Sequence, residues 1–156
     1  MDYYQSMMTG SSENISTSKL TLLQLFKVIY STVISIIKYH NVGAIKLMHQ
    51  ETKVMRKQSY EDYLFARKIT TLTFAILNIF RKDKALCIER ASVLCYVLRN
   101  LNIEAQVVIG SKSAMNSTLD FPYHAWVEAF GIPVSDPSGV KNHFNELHRF
   151  PKMAGD

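Results

Sequence analysis

The sequence predicts an α+β fold, in which a helical N-terminal half packs on one cysteine-bearing helix and a small antiparallel sheet. Residues 18–80 space their apolar side chains as helices do and show no clear strand alternation. Residues 84–101 carry apolar side chains at spacings of four, three, four and three, which form one stripe along a helix. Beyond residue 103, apolar and polar residues alternate over short runs, which is typical of strands.

Length and composition indicate one domain with a substantial hydrophobic core. The chain has 156 residues, of which 47% are hydrophobic, so global disorder is excluded. We expect a flexible N-terminus over residues 1–17 and a single domain over residues 18–156. Within this domain, residues 18–80 form the helical half, residues 81–140 hold the cysteine-bearing helix and the sheet, and residues 141–156 are a weakly patterned tail.

The first predicted helix starts at a cap, Thr17 or Ser18, and runs to about residue 40. Its residues 20–37 include one charged residue, Lys27, and are almost long enough to span a membrane. The lysine near the middle of this stretch and the polar side chains around it argue against a membrane span. We therefore expect a buried amphipathic helix.

Two further helices complete the helical half. Residues 41–43 end in a glycine and break the first helix, and a second helix covers about residues 44–56. Ser59, with Asp62 three residues later, resembles a helix start. The third helix runs from there to about residue 80.

The second half begins with a fourth helix over about residues 84–101, for which Asp83 is the expected N-cap. Asn102 is expected to end this helix in the left-handed conformation. The inward stripe of the helix comprises Cys87, Ala91, Leu94, Leu98 and Leu101.

Three strands are predicted to follow, over residues 104–110, 121–130 and 132–136. Alternation in the first strand places Ala105, Val107 and Ile109 on one face. Residues 111–120, from Ser111 to Asp120, form a polar loop between the first two strands and are a candidate flap over a site.

The net charge of +5 is unevenly distributed. Residues 1–17 contribute −2, residues 18–80 contribute +6 from nine basic and three acidic residues, and residues 81–156 contribute +1 from nine and eight. The basic residues of the helical half are scattered and not clustered with aromatic residues, so a nucleic-acid partner is not expected. A solvated basic face and a surface for an acidic peptide or protein remain open.

The two cysteines, Cys87 and Cys95, lie eight positions apart in one predicted helix. This spacing corresponds to a rise of about 12 Å, which is too long for a disulfide within a straight helix. Because no second pair is present, a secreted disulfide framework is excluded, and we expect a reducing, cytoplasmic compartment. The chain has no CxxC motif, and His143 and His148 are isolated, so we expect neither a metal site nor a cofactor.

Three residues could form a thiol active site. Cys87 lies in the predicted first turn of a helix, where the partial positive charge stabilises a thiolate. His124 lies on a later strand, and Asp136 lies at the end of the next one. Each residue alone has a structural explanation, as a packed thiol, a strand histidine and a turn residue. Their occurrence together, in this order along the chain, makes a catalytic Cys-His-Asp set as plausible as these structural explanations. Cys95 lies in the middle of the helix and is expected to be an inert packing residue.

The spacing from His124 to Asp136 can be tested against hairpin geometry. A three-residue loop over residues 129–131, with Gly131 in the left-handed conformation, would place His124 directly opposite Asp136. Side chains in such a pair are about 5 Å apart at Cβ, so the carboxylate could orient the imidazole. A two-residue loop would shift the register by one residue and weaken this pairing.

At these residues the chain resembles the lasso-peptide B proteins, which are leader peptidases with a transglutaminase-like, papain-related fold. The resemblance covers about residues 85–136, a third of the chain. The segments that carry it are Cys87-Ile88-Glu89-Arg90-Ala91, residues 98–105, residues 108–110, His124-Ala125-Trp126-Val127-Glu128 and Gly131. The chain departs from the family pattern at Ala91, Asn102 and Phe130, where the family usually has Ser, Gly and a polar residue.

The resemblance implies a catalytic triad that corresponds here to Cys87, His124 and Asp136. It also implies a function: a cysteine protease that removes the leader peptide from a ribosomally made lasso-peptide precursor through a thioester intermediate. A thiol acyltransferase related to transglutaminases would use the same triad with an amine as acceptor. A non-catalytic peptide-binding scaffold, with Cys87 as packing, is the alternative from another class.

The expected partners follow from the resemblance and from the helical half. Besides the precursor, we expect a separate small leader-binding protein, because residues 1–80 show no strand that could pair with an extended peptide. The lasso cyclase is a further candidate partner. The basic helical half or the loop over residues 111–120 would be the docking surface.

Overall fold

The structure is a computed structural model that describes residues 20–49, 59–82, 84–112 and 122–151. Four expectations fall wholly or mostly outside these residues: the flexible N-terminus over residues 1–17, the second helix over about residues 44–56, the cap at Asp83 and the candidate flap.

The first helix, α1, spans Leu22–Met48 and begins at a complete capping box. The side chain of Thr21 accepts a hydrogen bond from the backbone N–H of Gln24 at 3.3 Å, and the Gln24 side chain accepts one from the Thr21 N–H at 2.9 Å. These contacts satisfy two amide groups that a helix start leaves without partners. The prediction of a cap at Thr17 or Ser18 is therefore wrong, because Thr21 takes that role.

The break predicted at residues 41–43 is confirmed. Gly43 has non-helical backbone angles, with φ of 80° and ψ of 169°, and kinks α1 before its last turn. Most of the predicted second helix lies beyond the described segment, which ends at residue 49. The next helix, α2, spans Tyr60–Arg81 and starts as predicted, since the Ser59 hydroxyl accepts from the Asp62 N–H at 3.2 Å.

The cysteine-bearing helix, α3, spans Cys87–Asn100. Its N-cap is Leu86, which offers no side-chain hydrogen bond, so the helix starts later than the predicted residue 84. The C-terminal end is as predicted, because Asn102 adopts the left-handed conformation with φ of 64°. There the Ile103 N–H donates to the Leu98 carbonyl at 3.0 Å, which closes the last turn.

Four antiparallel strands form a sheet in the order β3-β2-β1-β4. The strands are β1 (Ala105–Lys112), β2 (Tyr123–Ala129), β3 (Ile132–Pro133) and β4 (Phe144–Phe150), and a short helix, α4 (Val140–His143), precedes β4. The prediction of a weakly patterned tail after residue 140 is therefore wrong. The error has a physical cause: β4 is an edge strand with mostly exposed side chains, so it lacks the alternation of a half-buried strand.

The hairpin between β2 and β3 differs from the predicted one by one residue. Ala129 pairs with Ile132, so the loop has two residues, Phe130 and Gly131. Both have positive φ, of 54° and 75°, as a two-residue hairpin with matching strand twist requires. The predicted three-residue loop and the direct pairing of His124 with Asp136 are therefore wrong, and β3 ends at Pro133.

The main core lies between α3 and the sheet. Ala91, Leu94 and Leu98 of α3 are buried, which confirms that part of the predicted stripe. They pack with Ala105, Val107 and Ile109 of β1, which share one face as predicted, and with Ala125, Val127 and Ala129 of β2. Since side chains alternate along a strand, His124, Trp126 and Glu128 lie on the other face of β2.

Helix α1 is only partly buried, contrary to the expectation for residues 20–37. Its buried side chains there are Val28, Ser31, Thr32, Ser35 and Ile36, most of which are small or polar. The opposite face carries large exposed side chains: Leu22, Leu23, Phe26, Ile29, Tyr30 and Ile37. By length and composition alone, α1 and α2 are both apolar enough to cross a membrane, although core helices and signal sequences meet the same criterion.

Candidate active site

The structure brings the three predicted site residues to one cavity. Cys87, His124 and Asp136 all line an open cavity of about 250 Å³, together with Phe74, Ala85, Arg90, Ala91, Ala125 and Ser135. Cys87 is the first residue of α3, His124 is the second residue of β2, and Asp136 follows β3. The site therefore forms where the N-terminus of α3 meets the start of β2.

His124 and Asp136 meet in spite of the shifted hairpin register. The Nε2 atom of His124 lies 2.7 Å from Oδ1 of Asp136. Because a carboxylate only accepts hydrogen bonds, Nε2–H is the donor, and Nδ1 is the ring nitrogen that can face Cys87. The contact is a side-chain hydrogen bond beyond the end of the strand pair, so it does not depend on cross-strand pairing.

Ser135 explains how the chain turns toward His124. Its hydroxyl accepts a hydrogen bond from the backbone N–H of Val127 at 2.8 Å, and donates one to Oδ2 of Asp136 at 2.6 Å. Just after β3 ends, the Ser135 hydroxyl therefore takes the place of a backbone carbonyl as the acceptor for the Val127 N–H of β2. Asp136 is held through both carboxylate oxygens, with one bond to Ser135 and one to His124. The sequence offered no signal for this role of Ser135.

Cys87 is exposed, which contradicts its expected place in the inward stripe and removes the explanation of Cys87 as core packing. The side-chain hydrogen bond with His124 is the main cause of a lowered pKa for the Cys87 thiol. Burial acts against this shift, and the N–H groups of Ala125 and Ile88 act with it. Donors that point at the sulfur stabilise the thiolate, as a helix N-terminus does.

The pKa of His124 is raised to about 9, first by the hydrogen bond to Asp136 and then by the one to Cys87. Burial alone would raise the pKa of Asp136, but the hydrogen bonds from His124 and Ser135 outweigh burial, and the net shift is downward. Each of the three shifts stabilises the charged form of its group: the Cys87 thiolate, the His124 imidazolium and the Asp136 carboxylate.

Aromatic side chains enclose the imidazole on its other sides. The Trp126 ring lies nearly parallel to the His124 ring with centroids 6.2 Å apart, and the Phe144 ring centroid lies 5.1 Å from that of His124. Gly110 pairs with His124 across the strands, and a Cβ there would lie 3.0 Å from the Trp126 ring. The absence of a side chain at Gly110 therefore allows the indole to pack beside the imidazole.

A buried carboxylate anchors the indole. Glu128 is 1% exposed, and its Oε1 accepts from Trp126 Nε1 at 3.0 Å. Lys141 Nζ lies 3.0 Å from Oε1, and Arg149 Nη1 lies 2.9 Å from Oε2. Two cations thus compensate a buried anion, as burial of a charge requires. Sequence reasoning missed Lys141 and Arg149, since both belong to the stretch predicted to be a weakly patterned tail.

Two further observations delimit the chemistry of the site. Cys95 is buried in the main core, as expected for a packing residue, and burial raises the pKa of its thiol to about 12. Among the residues that the structure describes, no cluster of three or more His, Cys, Asp or Glu side chains is placed to hold a metal ion. What the arrangement offers is a polarised thiol, a proton carrier and an orienting acid.

The comparisons with known proteins agree with this geometry at the level of the family. Neither a curated protein nor a solved structure shows a significant match to the chain. Residues 36–149 match the Transglutaminase-like superfamily, and this region covers well over half of the chain, including all three site residues. The chain therefore belongs to the Transglutaminase-like superfamily.

Proposed function

We propose that the protein is a cysteine peptidase that removes the leader from a ribosomally synthesised lasso-peptide precursor. The observation that carries the proposal is the arrangement of Asp136, His124 and the exposed thiol of Cys87 at one open cavity. The superfamily supports thiol chemistry, and the resemblance of the segments around Cys87 and His124 to lasso-peptide B proteins supports the substrate.

In the proposed mechanism, each of the three residues has a role. The Cys87 thiolate attacks the scissile carbonyl carbon, and the imidazolium of His124 gives its Nδ1 proton to the leaving amine as the C–N bond breaks. The product is a thioester between Cys87 and the leader, and the freed amine belongs to the core peptide. Water then attacks the thioester, His124 takes its proton, and the leader leaves as a carboxylic acid while Cys87 regains its thiol form.

The N-terminus of α3 supports the tetrahedral intermediate. Cys87 is the first residue of α3, so its backbone N–H has no carbonyl partner one turn earlier within the helix. This group, aided by the helix dipole, is positioned to stabilise the oxyanion. Asp136 keeps the imidazole in the orientation that both proton transfers need.

The alternative with the same triad is acyl transfer to an amine, which the superfamily and the exposed thiol also support. The two activities are distinguished by mass spectrometry of the products from a lasso-peptide precursor, with and without an added primary amine. We expect a leader fragment with a free C-terminal carboxylate in both reactions. A leader fragment that carries the added amine would establish acyl transfer, and an intact precursor would contradict both activities.

We further propose that a separate leader-binding protein delivers the precursor, that the core peptide then passes to the lasso cyclase, and that these steps occur in the cytoplasm. The supporting observation is α1, whose exposed face is apolar and which carries Lys27, Lys38 and Lys46 but no acidic residue. Such a face suits a protein partner with an apolar patch bordered by acidic residues.

This docking proposal is tested with purified chain, precursor and the candidate partner at low and high salt. We expect slow cleavage by the chain alone and faster cleavage with the partner, with a smaller gain at high salt. Phe26→Glu on α1 should remove the gain, and Leu147→Glu on β4, a matched change at another exposed apolar position, should retain it. Efficient cleavage by the lone chain, or stimulation insensitive to Phe26→Glu, would contradict the proposal.

A further inference from the structure

A second cavity, of about 450 Å³, adjoins the candidate active site. It shares His124 and Asp136 with the first cavity but does not include Cys87. Its other lining residues come from the turn after β3, from α4 and from the start of β4: Pro137, Gly139, Val140, His143 and Phe144. The reactive imidazole therefore separates two cavities of different character.

The wall of the second cavity is mainly carbon. Each carboxylate oxygen of Asp136 already accepts a hydrogen bond, one from His124 and one from Ser135, so this side chain is engaged within the candidate active site. His143 is exposed, whereas Val140 is buried and packs with Trp126 and Phe144. A ligand in this cavity would meet a proline ring, a valine and an aromatic ring, which favour an apolar group.

The floor of the cavity is fixed by the rest of the fold. Trp126, which packs under Val140 and Phe144, is tied to the buried carboxylate of Glu128 at 3.0 Å. Lys141 of α4 binds the same carboxylate at 3.0 Å, so α4 is held against the sheet. A preformed apolar site of this kind loses little conformational entropy when a ligand binds.

We propose that this cavity is a subsite that receives an apolar side chain of the peptide substrate, close to the bond that Cys87 attacks. The inference rests on the proposed function for the identity of the substrate as a peptide. Its location follows from the shared residues, because a group in the cavity touches the imidazole that also faces Cys87. Aliphatic side chains of the size of leucine match the apolar part of its lining, which Pro137, Val140 and Phe144 form.

The test uses a homologous series of thiol reagents and needs no knowledge of the precursor. N-methyl, N-propyl, N-butyl and N-hexyl iodoacetamides alkylate Cys87 in one step: the thiolate attacks the CH₂ carbon, a C–S bond forms and iodide leaves. Rates are followed by intact mass, assigned to Cys87 by peptide mapping, and divided by the rate of each reagent with N-acetylcysteine. If the tail enters the cavity, each added methylene should raise the normalised rate by about twofold to fourfold until the cavity is filled.

Gly139 allows the cavity to be filled without backbone strain. Its φ is −68°, which any residue adopts, and a Cβ there meets no atom within 4 Å. Gly139→Phe and Gly139→Leu should both place their side chain in the cavity and flatten the chain-length dependence. Asn142→Phe, which adds the same ring at an exposed position of α4 outside the lining, should keep it.

The results separate this inference from the proposed function. The subsite would be overturned if the normalised rate of the wild-type protein does not depend on tail length, or if it still rises steeply with tail length in both folded Gly139 variants. Either result would hold even if the precursor is cleaved. If the normalised rate rises steeply with tail length in the wild-type protein and both Gly139 variants remove this rise, the apolar subsite is established. This conclusion holds even if the precursor is not cleaved, so the peptidase proposal is tested separately.

Discussion

The hydrogen bond between His124 Nε2 and Asp136 Oδ1 decides which imidazole nitrogen faces Cys87. At 2.7 Å it holds the ring in one orientation, and it is the main cause of the raised pKa of His124. Ser135 then fixes the carboxylate through its second oxygen. A chain of three side chains, from Ser135 to His124, thus controls the protonation of the thiol partner.

Removing the orienting acid should slow the reaction without abolishing it. We expect Asp136→Asn to reduce kcat by about 10²- to 10⁴-fold, because the acid orients the imidazole but does not transfer the proton itself. His124→Ala should leave no measurable cleavage. A full rate in Asp136→Asn would contradict the role of Asp136.

Ser135 should act through Asp136. Ser135→Ala removes one hydrogen bond to a charged group, for which we expect about a tenfold loss of kcat. Ser135→Thr keeps the hydroxyl and should restore most of the rate. The pH dependence of kcat/KM provides a second readout. A substitution that only loosens the fold would not change the pH at which kcat/KM falls on the alkaline side.

The pH dependence follows from the direction of the shifts. The pKa of the Cys87 thiol is lowered and that of His124 is raised to about 9, so both shifts favour the thiolate–imidazolium pair. We expect kcat/KM to rise with pH as Cys87 loses its proton and to fall above about pH 9 as His124 loses its own. Asp136→Asn removes the main cause of the raised pKa of His124, so the alkaline fall of kcat/KM should move to lower pH. An alkaline fall that stays at the same pH in this variant would refute the assignment.

At the scale of elements, β1 pairs with both β2 and β4 and so brings Phe144 of β4 beside His124 and Trp126 of β2. Gly110 of β1 lies opposite His124, and a Cβ there would lie 2.9 Å from the Asn145 carbonyl and 3.0 Å from the Trp126 ring. The close approach of β4 at the bulge between Ile109 and Gly110 leaves no space for a side chain.

Gly110→Ala should therefore lower both stability and activity. We expect a loss of about 1–3 kcal/mol in the free energy of unfolding, because the strands and the indole must shift to admit a methyl group. Gly139→Ala, where a Cβ meets no atom within 4 Å, should stay within about 0.5 kcal/mol of the wild type. Denaturant unfolding measures both, and equal stability of the two variants would contradict the packing described around Gly110.

The elements most accurately predicted from the sequence are those whose local chemistry is self-contained. The start of α2 at Ser59, the kink at Gly43 and the left-handed end of α3 at Asn102 depend on neighbouring residues only. The N-terminus of α3 was less predictable, because Leu86 is a cap without a side-chain hydrogen bond.

The hairpin register and the last strand could not be predicted for tertiary reasons. Phe130 takes a positive φ, which a phenylalanine rarely adopts, so the two-residue loop had no sequence signal. The edge strand β4 is stabilised by pairing with β1 and by Arg149, which reaches the buried Glu128. The three residues of the candidate site were nevertheless named from the sequence, because each lies near the end of a predicted element. The side-chain hydrogen bond from His124 to Asp136 forms in spite of the one-residue shift in the hairpin register.

At the scale of the whole molecule, a buried ion pair joins the helical half to α3. Glu89 of α3 is 1% exposed, and its Oε1 lies 3.0 Å from Arg81 Nε of α2 and 3.9 Å from His40 Nε2 of α1. One carboxylate therefore connects three helices two residues after Cys87. Its loss should loosen the N-terminus of α3, on which the thiol depends.

We expect Arg81→Met to destabilise the protein by about 1–3 kcal/mol, because it removes a cation from the buried Glu89 carboxylate, while the Arg81 side chain itself is 34% exposed. The double variant Arg81→Met with Glu89→Leu should recover most of that loss, since no charge is then left unpaired. Thermal and denaturant unfolding of the single and double variants form the test. A single variant as stable as the wild type would show that the pair does not hold the helices together.

Acid-quenched intact mass spectrometry during turnover detects the proposed thioester between Cys87 and the leader. The wild-type protein mixed with precursor should gain the mass of the leader fragment less one water, and peptide mapping should place the adduct on Cys87. Cys95→Ala should form the same adduct, and Cys87→Ala should form none and release no core peptide while keeping its helical circular dichroism. Cleavage at the wild-type rate by Cys87→Ala, or an adduct on any residue other than Cys87, would contradict the proposed role of Cys87 as the nucleophile.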